Sequence, residues 1–193
     1  MTAFVFPLVV ALVAIGVGIP DSIGAQVAPS CGVGPTTVLS DSGIGKLRVG
    51  VSRAEISRLC RVIKDTIVAS DDYVEMERAL VIDLGRDTVV AVWGLDSTIN
   101  RIDVDRDRFR TRDGLHVGIS LRSLMNRPGL SAGIGETSVW ASVTAHCGIT
   151  MVLSGTGEGA QGDEFTRDQL AKWPPSIYVT TIVIHGCRNG SAG

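Results

Sequence analysis

Alternation of apolar and polar positions is clearest over residues 137–147. There Val139, Ala141, Val143, Ala145 and Cys147 fall on one side, and Ser138, Trp140, Ser142, Thr144 and His146 on the other. A period of two marks a strand with one face buried. Strand-like runs also cover residues 78–84, 88–95, 99–109, 149–154 and 177–187, with Gly85-Arg-Asp87 and Asp96-Ser-Thr98 supplying turns. Helical spacing is confined to two short stretches. Ile56, Leu59 and Cys60 sit at i, i+3 and i+4 behind Ser52-Arg-Ala-Glu55, where Ser52 and Glu55 form a capping-box pair. Leu121, Leu124 and Met125 follow Ser120 as candidate cap, and Pro128-Gly129 stops the helix.

These two helix entries share a motif. Leu47-Arg-Val-Gly-Val-Ser52 returns 68 positions later as Leu115-His-Val-Gly-Ile-Ser120. Each copy leads into a short helix and then three strand-like runs. The pattern predicts an α+β fold of two repeats, each a short helix plus a three-stranded antiparallel meander, with the helices on one face of the sheet. The chain then divides into a lead at 26–45, a first repeat at 46–112, a second at 113–187 with a long loop at 155–176, and a tail at 188–193.

The motif Leu-x-Val-Gly-[Val/Ile]-Ser-x-x-x-[Ile/Leu] and the doubled architecture over residues 46–187 resemble the tandem-repeat fold of the β-lactamase inhibitory proteins. They also resemble the outer-membrane-assembly lipoproteins of the SmpA/BamE type. What these resemblances imply is a secreted scaffold that binds another protein on its open sheet face and has no catalytic activity.

Residues 3–19 carry no charge and end in Gly16, Gly18 and Pro20, ahead of a small residue at Ala25. This reads as a signal peptide over 1–25, so the mature chain is expected to be secreted or periplasmic, with no membrane association after cleavage. An uncleaved anchor is the rival, although the run is short for a span and holds Pro7. Eighteen basic residues face 20 acidic ones, a net charge of −2 that argues against a nucleic-acid partner.

Export makes Cys31, Cys60, Cys147 and Cys187 disulfide candidates. Four cysteines allow three pairings. The one with a bridge in each half joins Cys31 to Cys60 and Cys147 to Cys187, and would tie the lead to the first helix. A competing chemistry rests on His146-Cys147 and His185-Gly-Cys187, which could converge as soft zinc ligands or a thiol site in a small envelope enzyme. Asp103-Val-Asp105-Arg-Asp107 fails as a calcium loop, because Arg108 and Gly114 stand where Gly and Glu are required. It reads instead as a charge-laced strand that guards a sheet edge. Ser42-Gly-Ile-Gly-Lys46 lacks the residues of a phosphate loop.

The polar side of 137–147 carries a single Trp among small hydroxyls, a composition suited to contact. The candidate binding face is Trp140, Ser142, Thr144 and His146, with Trp173 and Tyr178 close in sequence to the last strand. The expectation is a non-catalytic, inhibitor-like module with a protein partner, no cofactor and no metal. The alternative is the enzyme built on His146, Cys147, His185 and Cys187.

Overall fold

The computed structural model describes residues 31–70, 75–135, 138–155 and 164–187. The expected signal peptide, the first part of the lead, the tail and residues 156–163 of the 155–176 loop lie outside the described residues.

A three-stranded antiparallel sheet comes first, of β1 (Leu39–Ser40), β2 (Gly43–Ile44) and β3 (Leu47–Arg48). Helix α1 (Arg53–Leu59) leads into β4 (Arg61–Ala69), β5 (Met76–Asp83), β6 (Thr88–Trp93) and β7 (Ile99–Val104). Helix α2 (Leu121–Met125) leads into β8 (Leu130–Ile134), β9 (Val139–Val143) and β10 (Ile149–Leu153), and after α3 (Arg167–Ala171) comes β11 (Val179–Ile184). The last eight strands form one antiparallel sheet in the order β4-β5-β6-β7-β11-β10-β9-β8.

This corrects the expected α+β class. Among the described residues the chain is mostly β, the three helices have seven, five and five residues, and one eight-stranded sheet replaces a pair of three-stranded meanders. Four strands, not three, follow each of α1 and α2. The strand missed in each half is its first. In β4 the exposure pattern shows no clean alternation, because an edge strand buries neither face fully. In β8, Leu-Ser-Ala-Gly-Ile is dominated by residues of low strand propensity. Pairing with β5 spans the whole length of β4, with a bulge between Val62 and Lys64.

Similar backbone bonds recur at the two helix entries. Gly50 N–H donates to the Ile99 carbonyl (2.7 Å), Ile99 to Val51 (2.9 Å) and Arg53 to Ser97 (2.8 Å). At the second entry Gly118 donates to Val179 (2.8 Å), Val179 to Ile119 (3.0 Å) and Leu121 to Ile177 (2.9 Å). Gly50 and Gly118 hold φ of 86° and 89°, which explains why both motifs spell Gly there. Ser52 and Ser120 cap the helices, accepting from the Glu55 and Ser123 N–H groups at 3.2 Å each. The reciprocal capping box of Thr166 and Gln169 starts α3.

One continuous core fills the inner face of the sheet. Leu80, Ile82, Ala91, Ile102, Ile182, Met151 and Val139 meet Ile56 of α1, Leu121 and Leu124 of α2, Leu170 of α3, and Ile44 and Leu47 of the small sheet. β7 lies in the middle of the large sheet, between β6 and β11, and not at an edge. The expected edge-guarding role of Asp103, Asp105 and Asp107 is therefore corrected. Only Asp103 lies on the strand, and it pairs with Arg101 at 3.0 Å. Arg101 also reaches Glu77 at 2.8 Å while almost fully buried, so this charge triad sits within the sheet's outer face.

Candidate functional site

Among the described residues, two places bear most on function. The first is the outer face of the second half-sheet. Val139, Ala141 and Val143 are buried inward, which turns Trp140 and Ser142 outward, both half-buried. Trp140 pairs with Val152 on one side and Gly133 on the other, and Val152 pairs with Thr181. Gly133 itself is buried and also bridges to Glu164. The result is a strip of Thr, Val and Trp on the face opposite the core.

The second place is a charged corner at the end of the sheet, where the β9–β10 turn meets two loops. His146 lies in that turn, with Nδ1 3.2 Å from Asp41 Oδ1 and Nε2 2.9 Å from Asp113 Oδ1. Only the imidazolium has an N–H on both ring nitrogens, so only that form donates to both carboxylates at once. Asp41 comes from the β1–β2 turn and Asp113 from the turn at 111–115, which Thr111 closes by accepting the Leu115 N–H at 2.8 Å. Asp113 also receives hydrogen bonds from the Thr111 hydroxyl and the Arg127 guanidinium. Partial burial alone would raise its pKa. The bonds from Thr111 and His146, with the charges of His146 and Arg127, outweigh burial and hold Asp113 at about 2.

Beside this corner lies the Cys147–Cys187 disulfide, with a Cα separation of 5.1 Å. Cys147 sits in the turn after β9 and Cys187 beyond the end of β11, so neither is confined by strand spacing. The second bridge joins Cys31 to Cys60, the C-cap of α1, at a Cα separation of 4.4 Å. It therefore ties the lead to the first helix. All four cysteines are paired. With both sulfurs of Cys147–Cys187 bonded to each other, the oxidised chain offers no thiolate to the His/Cys site considered as an alternative.

The six expected contact residues do not form one patch. Trp140 and Ser142 share the outer face. Thr144 and His146 lie past the end of β9, and His146 is engaged by Asp41 and Asp113. Trp173 packs edge-on against Phe165, with ring centroids 4.9 Å apart, and lines a shallow groove of about 280 Å³ with Leu121, Met125 and Leu170. Tyr178 is exposed, and its N–H donates to Ser154 Oγ at 3.1 Å, two residues along from Val152. His185 is half-buried, and its N–H bonds the Gly148 carbonyl at 2.9 Å. Sequence reasoning missed Asp41, Asp113, Thr111 and Arg127. Four separated segments supply the corner, and no local spacing announces them.

Gly148 explains how the corner closes. A Cβ there would lie 2.1 Å from the Asp41 carbonyl oxygen and 2.9 Å from the Gly186 backbone. Only glycine lets the small sheet approach the disulfide so closely.

No family model matches the chain, and no curated protein matches it in sequence. Its fold is similar to the crystal structure of the uncharacterized protein YfeY from Escherichia coli, with a TM-score of 0.54 and 21% identity. The match covers 77% of this chain and 99% of that one. At this identity the likeness concerns the fold alone.

Proposed function

We propose that this chain is an exported, non-catalytic protein-binding module that engages its partner through the outer face of the second half-sheet. The observation that carries the reading is the outward strip of Trp140, Val152 and Thr181, opposite a face filled by core. A half-buried Trp in a strip of small and β-branched residues is a low-entropy anchor for a protein interface. Among the described residues no helix packs against that strip, because the buried residues of α1, α2 and α3 all join the inner core.

Export is supported by two disulfides, which persist in oxidising compartments, and by the uncharged N-terminal run. No helix among the described residues is long and apolar enough to cross a membrane. An inhibitor-like role follows the family resemblance of the repeated motif.

The test immobilises the mature chain, passes extracts of its native envelope over it, and identifies what is retained. Trp140→Ala and Val152→Asp are expected to keep the thermal midpoint near wild type and to lose the retained protein. Retention of the same protein by both variants would remove this face from the interface.

A further inference from the structure

We propose that reduction of the Cys147–Cys187 bridge converts the charged corner into a divalent-metal site, with zinc the ion that fits its donors. The Asp41 carboxylate and the two sulfurs all lie within 4.8 Å of one another. Donors around a tetrahedral zinc stand roughly 3.4–3.8 Å apart, given Zn–S near 2.3 Å and Zn–O near 2.1 Å. Opening the bridge therefore asks the sulfurs to part and the carboxylate to close in by small movements. The sulfur-bearing residues are exposed, one in a turn and one past a strand end, where such movements are easy. Two thiolates and one carboxylate select zinc over magnesium or calcium, and the fourth position goes to water.

The surroundings suit a metal. His146 Nδ1 stands 3.2 Å from Asp41 Oδ1, so an N–H there orients the carboxylate, as outer partners of metal ligands do. Gly148 permits the approach of Asp41, since any side chain would strike its carbonyl. The other bridge has no such setting. Cys31 and Cys60 are 0% and 1% exposed and belong to the apolar core cluster.

The chemistry balances with a dithiol as reductant. It supplies two electrons and two protons, its own sulfurs close into a disulfide, and the Cys147–Cys187 bond opens to two thiols. The metal takes both as thiolates, and the two protons pass to water.

The experiment treats the full folded chain with a dithiol, removes the reductant, and titrates Co(II) while following thiolate-to-metal absorption, with Zn(II) as competitor. Alkylation and peptide mass mapping in parallel show which cysteines are open. The expected result is one equivalent bound by the reduced chain and none by the oxidised chain, with Cys31–Cys60 still closed. Cys187→Ser should abolish the absorption. Asp41→Asn should weaken binding by more than about 100-fold, and His146→Gln by about 10–100-fold. Three results would overturn the proposal: no binding after reduction, equal binding by the Cys187→Ser chain, or loss of the native circular dichroism when only this bridge is opened.

Discussion

The two disulfides divide the molecule into a dry end and a wet one. Cys31–Cys60 lies wholly inside the core, at the C-terminus of α1, among apolar residues. Cys147–Cys187 lies at the surface beside Asp41, with His146 and Asp113 close by. Their loops are of similar length, with sequence separations of 29 and 40. Loop-closure entropy alone gives about 3.6 and about 3.9 kcal/mol, the longer loop slightly ahead. Burial reverses the order, because emptying a core site adds a cavity cost that emptying a surface site does not. Chain topology and packing therefore make opposite predictions from one fold.

The largest expected effect breaks that tie. Cys31→Ala with Cys60→Ala should lower unfolding free energy by about 5 kcal/mol, the loop term plus a cavity of one or two. Cys147→Ser with Cys187→Ser should cost no more than about 4 kcal/mol. Denaturant midpoints measured side by side decide the matter. A larger loss for the surface pair would mean that entropy dominates and the core absorbs the missing sulfurs.

A smaller effect tests whether the buried bridge supports its helix. Ser52→Ala removes the cap of α1 and should cost about 1 kcal/mol, as should Ser120→Ala for α2. In the chain lacking Cys31 and Cys60 the Ser52→Ala cost should change while the Ser120→Ala cost stays the same. Equal changes at both caps would show that the bridge does not act through α1.

The smallest effect concerns the wet end and depends on pH. Asp113 titrates at about 2 when folded, below its ordinary value of 3.8, so its contribution is present above about pH 4 and fades as pH falls toward 2. Asp113→Asn should flatten that part of the stability profile. At neutral pH it should cost under about 1 kcal/mol, since the carboxylate is 42% exposed and well solvated. An unchanged acid limb in urea titrations from pH 5 to 2 would show that other carboxylates set it.

Much of this was legible along the chain, and the rest was hidden for physical reasons. Val-Gly-[Val/Ile]-Ser marks both helix entries because the bend needs a positive φ and the helix needs a cap, and each demand falls on one residue. β6, β9 and β10 could be read because one face of each is buried. β4 could not, as both its faces meet solvent, and β8 has Ser, Ala and Gly between its terminal Leu and Ile. The two-residue strands β1, β2 and β3 are too short for any period to show. The Thr166-x-x-Gln169 capping box is a local signal, but it follows a glycine-rich stretch with no apolar period to mark a helix. For the site, alternation placed Trp140 outward. The carboxylates around His146 lie 105 and 33 positions away from it, beyond the reach of any pattern.

The bulge between Val62 and Lys64 has a consequence for how the protein behaves in a crowd. β4 runs nine residues along the rim of the sheet, with Ile63 and Ile67 exposed. A straight rim of that length is a template on which another molecule could lay its own strand. The kink and the lysine spoil the template. Deleting Ile63 to straighten the ribbon, and replacing Lys64 with valine, should promote fibril growth, visible as thioflavin binding above that of the parent chain at the same concentration.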